Sequence, residues 1–84
     1  MSPYTTLMRQ IAHRGPEVPC LASPTPELWT AEADTDQRAA ARACHQCPLL
    51  HQCRQYALTQ QETGGVWGGM TEAERRQYHR DHAA

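Results

Sequence analysis

Four cysteines are the residues of this chain best suited to chemistry: Cys20 stands alone, Cys44 and Cys47 are separated by two residues, and Cys53 follows shortly after. Four thiolates can bind either a tetrahedral zinc ion or an iron-sulfur cluster. Zinc sites commonly combine two close pairs of ligands, and only one such pair is present here. The wide spread of the cysteines suits a larger cluster somewhat better, but spacing alone leaves zinc and a cluster nearly even.

A glycine-flanked tryptophan follows the last cysteine, in the run Gly65, Val66, Trp67, Gly68, Gly69. Glycines allow a tight turn and close approach of the backbone. A tryptophan on such a turn can serve as the central anchor of a protein interface. The simpler interpretation is that Trp67 fills the core of a chain that contains no Phe. Both roles stay open at the level of this motif alone.

The chain is small, with 84 residues, and it contains no Phe and only two Trp. Residues 1–84 therefore form one domain whose core is too small for comfortable stability without a metal, disulfides or a partner. The first fifteen residues contain no apolar stretch typical of an export signal, which predicts a cytoplasmic protein. Disulfides are rare in that compartment, so metal binding is the favoured use of the cysteines. No segment is long and apolar enough to cross a membrane.

The net charge is −1, from eight basic residues, all of them arginine, and nine acidic ones. A protein that binds DNA by itself usually carries a surplus of basic residues, because neutralising phosphates supplies much of the affinity. In the segment from Glu72 onward, the arginines are offset by acidic neighbours. Arg75 and Arg76 are interpreted as part of a solvated helix face. The composition therefore argues against independent DNA binding.

The first third of the chain contains one strong helix signal. Ser2 and Pro3 are typical of a helix start, and apolar residues recur at helical spacing from Tyr4 until Gly15. The proline-rich stretch 16–26 is predicted to be an irregular loop that carries Cys20. A single short turn is predicted from Thr25 through Trp29.

Three more helices are predicted in the rest of the chain. Asp34 and Gln37 resemble a capping box before a helix over 35–43, which places Cys44 near its end. Pro48 is predicted to start the next helix, which ends at Gly64 and Gly65. Thr71 and Glu74 form a second capping box before a helix over 72–81. The predicted fold is all-α, with four to five short helices packed around the metal centre and no strand.

The order of these motifs resembles the WhiB-like family of actinobacteria and their phages. The resemblance covers roughly Cys20 to Arg80, within a cluster-binding and partner-binding region of about residues 18–80. It rests on the four cysteines together with the glycine-tryptophan turn, a combination far more specific than either half alone. The residues that carry it are Cys20, Cys44-His45-Gln46-Cys47-Pro48, Cys53, Tyr56-Ala57-Leu58, and the run from Gly65 through Gly69 to Arg76.

The resemblance implies a transcriptional regulator with no enzymatic activity. It implies a 4Fe-4S cluster held by Cys20, Cys44, Cys47 and Cys53 and responsive to redox conditions, oxygen or nitric oxide. The implied partner is the C-terminal, promoter-reading region of the principal sigma factor, bound as one copy to one. The implied contact surface is the turn Gly65, Val66, Trp67, Gly68, Gly69, with Trp29 as a further member.

One departure and two alternatives accompany the resemblance. Many members of the family carry a basic tail, whereas no run of Lys or Arg follows the last predicted helix, so DNA is expected to be reached only weakly or indirectly. A zinc-stabilised sigma-binding adaptor without redox sensing is the first alternative. A thiol-disulfide oxidoreductase using Cys44 and Cys47 is a distant second, because that motif normally accompanies a βαβ unit.

Overall fold

The structure is a computed structural model that describes residues 2–82, so the outermost residues of the predicted domain, 1, 83 and 84, lie outside the description. Short helices joined by turns make up this part of the chain. They are α1 (Pro3–His13), a 3-10 turn (Gly15–Glu17), α2 (Pro19–Ala22), a second 3-10 turn (Pro26–Thr30), α3 (Asp34–Cys44), α4 (Leu50–Thr59) and α5 (Glu72–Asp81). Among the described residues, β pairing is limited to one isolated bridge between Trp67 and Met70. The prediction of a small all-α fold is confirmed.

The starts of α1 and α5 are the ones that their sequences predict. The Ser2 hydroxyl accepts a hydrogen bond from the Thr5 amide, and Pro3 occupies the first helical position. At α5, Thr71 and Glu74 form the complete capping box. Each cap satisfies backbone amides that the first turn of a helix leaves without a partner. None of the helices in residues 2–82 is long and apolar enough to cross a membrane.

The predicted capping box of Asp34 and Gln37 is wrong. Ala33 is the N-cap of α3, and Asp34 is already helical. The Gln37 side chain is buried, and its amide nitrogen donates to the carbonyl of Ala31 at 3.0 Å. Its amide oxygen accepts from the backbone N–H of Glu72 at 3.0 Å. Gln37 therefore joins α3 to the start of α5, a long-range role that outweighs the local one.

Two other boundaries differ from the predictions. The stretch 16–26 is not an irregular loop, because it contains the end of one 3-10 turn, all of α2 and the first residue of the next turn. Pro19 starts α2, and Val18 before it is almost fully buried. Pro48 precedes α4 but does not start it: the helix begins at Leu50 and ends at Thr59, well before Gly64. Prolines in this chain mark short turns as often as helix starts.

The core lies between α3, the second 3-10 turn and the glycine-rich segment. Its buried members are Trp29, Ala40, Ala41, Cys44 and Val66. The two alanines on α3 have small side chains, which leaves room beside that helix for the indole of Trp29. A cysteine thus belongs to the main hydrophobic cluster of the protein, and the fold and the thiol site cannot be separated.

Candidate metal centre and glycine turn

Three of the four cysteines meet where α3 turns into α4. Cys44 is the last residue of α3, and the amide of Cys47 donates to its carbonyl at 2.9 Å, which closes the connecting turn. Cys53 lies in the first half of α4, with its amide bonded to the Leu49 carbonyl at 2.9 Å. The predicted convergence at a helix corner is therefore observed. Cys20 approaches from α2, on the side of the almost fully buried Val18.

All four cysteines line one cavity, which has a volume of about 670 Å³. This volume is typical of pockets that hold a small molecule or a cofactor. The rest of the lining comes from α1, the turn around Trp29, the start of α4 and the glycine-rich segment. All four thiols are free. A single space surrounded by four thiols is the arrangement that a thiolate-bound metal group needs.

The thiols do not form a ready-made site for a single metal ion within the described residues. Among residues 2–82, no three His, Cys, Asp or Glu side chains are grouped closely enough to hold one metal ion. A tetrahedral zinc ion with bonds of about 2.3 Å would need its sulfur ligands about 3.8 Å from one another. The observed donors share a cavity without this close grouping.

Two of the sulfurs accept hydrogen bonds from N–H groups. The indole nitrogen of Trp29 donates to Cys44 Sγ at 3.3 Å, and the Leu49 amide donates to Cys47 Sγ at the same distance. At Cys53, the nearby backbone amide of Gly68 acts to lower the pKa of the thiol, although burial outweighs it. Donors of this kind stabilise negative charge on sulfur and tune a metal centre. The cavity thus carries the outer contacts typical of a thiolate site.

Burial makes three of the thiols hold their protons more strongly than an ordinary cysteine. It raises the pKa of Cys53 to about 12, and burial is also the main reason why the pKa of Cys20 and of Cys47 is raised. Proximity adds to this effect, because a charge on one sulfur disfavours a charge on the next. Metal binding would replace these protons, and the positive charge of the metal would compensate the charges of the resulting thiolates.

The segment that we call the glycine turn, residues 64–70, lies beside Cys53. Trp67 and Met70 pair through two backbone hydrogen bonds of 3.2 and 3.0 Å. Gly68 and Gly69, between them, have φ angles of 54° and 78°. Two successive positive φ angles are typical of a type I′ turn. A Cβ on Gly68 would lie 2.3 Å from the backbone nitrogen of Arg54, so the turn packs directly on α4.

The buried side chain of Arg75 fixes the backbone of the glycine turn. Only 2% of this residue is exposed. Its guanidinium donates to the carbonyls of Gly65 at 2.6 Å, Met70 at 2.9 Å, Glu62 at 3.1 Å and Gly64 at 3.2 Å. The rigid fork of an arginine suits this task, because it directs several donors at once. The interpretation of Arg75 as part of a solvated face is wrong, whereas Arg76 is exposed as expected.

Other contacts fix the remaining backbone groups of the turn. The Glu72 carboxylate accepts from the Gly65 amide at 2.7 Å, and the Val66 amide donates to the Trp29 carbonyl at 2.8 Å. Arg54 Nε donates to the Gly68 carbonyl at 2.8 Å. The turn is therefore held at its start, its middle and its tip by protein groups alone.

The predicted contact residues differ in how much surface they present. Trp29 is 8% exposed and lies in the core, and Val66 and Gly68 are buried as well. Trp67 is half-buried: its indole N–H donates to the Gly64 carbonyl at 2.8 Å, and its ring lies 5.3 Å from that of Tyr56. Of the two tryptophans, Trp67 is the one that can reach a partner. Trp29 acts on the thiol site.

Comparison with known proteins agrees with this geometry. A family model described as "Transcription factor WhiB" matches residues 17–78. This stretch is well over half of the chain and contains the four cysteines, the glycine turn and Arg75. The chain belongs to the WhiB family.

Among its WhiB relatives is the transcriptional regulator WhiB2 of Bifidobacterium longum, which is 41% identical over 61 residues, or 73% of this chain and 62% of that protein. WhiB2 of Mycobacterium tuberculosis is 39% identical over 59 residues, or 70% of this chain and 66% of the relative. The redox-responsive transcriptional regulator WhiB3 of Mycolicibacterium smegmatis is 39% identical over 62 residues, covering 74% and 64%. The matches span less than two thirds of these relatives.

The resemblance to the WhiB family is thus confirmed, but motif reading missed two functional residues. Arg75 and Gln37 make the contacts that join α5 to the rest of the site. The sequence does contain a feature from which the burial of Arg75 could have been predicted. The helix α5 contains few apolar residues, so the side that faces the protein must be covered by some other residue, and a turn rich in carbonyls supplies partners for a buried arginine.

Proposed function

We propose that this WhiB-family chain is a transcriptional regulator in which Cys20, Cys44, Cys47 and Cys53 hold a 4Fe-4S cluster. In this proposal the glycine turn binds the C-terminal, promoter-reading region of the principal sigma factor, one copy to one. DNA is reached through that partner, because the chain has no net positive charge. When bound, such a cluster supplies one-electron redox chemistry. The response to oxygen or nitric oxide is part of the same proposal.

The observation that carries the cluster assignment is the shared cavity. Four free thiols line one space of about 670 Å³, yet no three donors among the described residues are grouped for a single ion. A multi-atom cluster presents its iron atoms over a wider surface than one zinc ion does. A relative named as redox-responsive supports the same choice.

The partner assignment is supported by the position of Trp67. Its ring is half-exposed on a turn that is rigidly held by Arg75, Glu72 and Arg54. A large aromatic side chain on a preorganised surface loses little conformational freedom when it binds. Trp67 and Gly68 also line the cavity that contains the four thiols. The proposed metal centre and the proposed contact surface are therefore adjacent.

The metal assignment is tested by anaerobic purification followed by analysis of iron, sulfide and zinc together with the visible spectrum. We expect four irons, matching sulfide and absorbance that is bleached by nitric oxide. Changing any one of the four cysteines to alanine is expected to abolish or destabilise the cluster. One zinc per chain in a colourless protein would overturn the cluster and favour the zinc-stabilised adaptor. Full retention after Cys20→Ala would remove Cys20 from the ligand set.

The partner assignment is tested by anaerobic calorimetry with the isolated C-terminal region of the principal sigma factor. Trp67→Ala is expected to weaken binding by about 2 kcal/mol or more, as a central aromatic anchor would. Arg76→Ala is the control, because this exposed charge lies on α5 away from the turn's hydrogen bonds, and its effect should stay within about 0.5 kcal/mol. Equal effects of the two changes would contradict the proposed contact surface.

A further inference from the structure

The helix α1 lies outside the part of the chain that matches the family, yet it forms part of the cysteine cavity. The match covers residues 17–78, and α1 spans Pro3–His13. Met8 and Ile11 from this helix line the same space as the four thiols. Residues three positions apart share one face of a helix, so both side chains are presented by one docked surface.

The docking of α1 is well defined. Leu7 is 3% exposed and is the buried residue of the helix. Tyr4, one turn before, approaches Tyr56 of α4 with 6.2 Å between the ring centroids. The Ser2 cap fixes the start of the helix. Met8 and Ile11 therefore line the cavity from a helix whose position is fixed by packing and by its cap.

The chemistry of the lining is one-sided. Apart from the thiols, the cavity is surrounded mainly by apolar groups, and the charged side chains that line it in the described structure are Glu32 and Glu72. Both are acidic, and Arg14, which does not line the space, is a cation that acts on Cys47. A charged molecule loses hydration when it enters such a space, and the two carboxylates in the lining also repel an anion. A small uncharged molecule meets neither cost.

We propose that Met8 and Ile11 form a selective apolar wall, which admits small uncharged molecules to the thiol site and excludes anionic ones. The inference deepens the proposed function, since it concerns access to the centre that the four cysteines are proposed to hold. An apolar shell of this kind controls which molecules reach a metal and how much water surrounds it. It would restrict the centre to small uncharged effectors and protect it from anionic chelators.

The test compares two alkylating reagents of nearly equal size, neutral iodoacetamide and anionic iodoacetate. It uses the metal-free full chain at a temperature where its helical circular dichroism equals that of the metal-loaded protein. Each reagent forms a bond from sulfur to carbon and releases iodide. Both attack the same thiolate, so the ratio of their rates removes the effect of the thiol pKa. The ratio is normalised to that of the chain unfolded in urea. We expect it to exceed the unfolded value by about tenfold in the wild type.

The double variant Met8→Ser/Ile11→Ser should lower this ratio at least about threefold, because it replaces the apolar wall with hydrated groups. Arg9→Ser is the matched control on the same helix, where the side chain is exposed and does not line the cavity, and it should leave the ratio unchanged. Met8→Leu/Ile11→Leu should restore the wild-type ratio. A wild-type ratio equal to that of the unfolded chain, or no change in the serine variant, would overturn the proposal.

Two additions keep the outcome clear. If the double variant loses its helical circular dichroism, Met8→Ser alone replaces it, with an expected change of about twofold. In the metal-loaded protein, release of metal to the anionic chelator EDTA should be faster in the serine variant than in Arg9→Ser. Alkylation needs no metal, so a protein that binds no cluster would contradict the proposed function and still leave this selectivity measurable.

Discussion

The cysteine cavity and the glycine turn are neighbours, but their polar groups are satisfied in different ways. In the turn, the guanidinium of Arg75, the carboxylate of Glu72 and the side chain of Arg54 bond the backbone directly. In the cavity, burial raises the pKa of Cys53 to about 12, and no cationic side chain lines the described space. The turn is thus held by hydrogen bonds from charged side chains, whereas the cavity offers thiols that a metal would bind.

This difference suggests how the two regions divide their roles. A rigid turn can keep its shape while the chemistry beside it changes. A cavity that depends on its metal can report the loss of that metal by rearranging. The two regions meet directly, because residues 64–68 of the turn line the cavity and the Val66 amide donates to the Trp29 carbonyl. The four predictions that follow test this division.

Metal removal should produce the largest change in stability, and it should affect the cysteine cavity much more than the glycine turn. We expect backbone amide exchange in residues 18–22 and 44–53 to accelerate about a thousandfold when the loaded protein is stripped, equivalent to about 4 kcal/mol. Residues 64–70 should change much less, because their partners are protein groups. Hydrogen exchange with mass spectrometry measures both. Equal loss of protection in the two regions would show that the turn also depends on the metal.

Removing the Arg75 guanidinium should break the turn without touching a thiol. Arg75→Met keeps much of the side-chain volume but removes one donor from each of four backbone carbonyls. The carbonyls of Gly64 and Met70 keep a second donor from Trp67, whereas those of Glu62 and Gly65 lose the donor that Arg75 supplies. We expect the free energy of unfolding of the metal-free protein to fall by about 3 to 4 kcal/mol. Arg76→Met, one residue further and exposed, should change it by less than about 0.5 kcal/mol. Urea denaturation compares the pair, and similar values would refute the buried role.

A methyl group at Gly68 should disturb the junction of the two regions. Its Cβ would lie 2.3 Å from the Arg54 backbone nitrogen, at a φ of 54° that other residues rarely adopt. We expect Gly68→Ala to destabilise the protein by about 2 to 3 kcal/mol. Gly64→Ala is the control, because nothing lies within 4 Å of its added Cβ. Equal thermal denaturation midpoints for the two variants would argue against the close packing of the turn on α4.

The same contrast explains what the sequence could predict. The local caps of α1 and α5 are readable because donor and acceptor are three residues apart. The thiol site and the glycine turn could be predicted because few other kinds of protein combine four cysteines with such a turn. The buried roles of Arg75 and Gln37 could not be predicted, because their hydrogen-bond partners are backbone groups that only the fold brings close. Arginine and glutamine in a polar stretch have the same local pattern whether they are buried or solvated.

The smallest predicted change in stability comes from removing the indole N–H groups of the two tryptophans, one at a time. Trp29 donates to Cys44 Sγ in the core, whereas Trp67 donates to the Gly64 carbonyl at an exposed position. Trp29→Phe should lower the free energy of unfolding by about 1 to 1.5 kcal/mol, because it removes both ring volume and the donor to a buried sulfur.

Trp67→Phe should cost less than about 0.5 kcal/mol, since water can replace its donor at the exposed carbonyl. In the loaded protein, only Trp29→Phe should shift the reduction potential of the centre, because only this variant removes a hydrogen bond to a ligand sulfur. Voltammetry measures the reduction potentials of the two variants and so shows whether Trp29 only packs in the core or also changes the potential of the centre. If both potentials equal that of the wild type, Trp29 only fills the core. A shift confined to Trp29→Phe would show that the cavity uses a buried indole to adjust the charge on its thiolates, a task that the self-contained turn does not require.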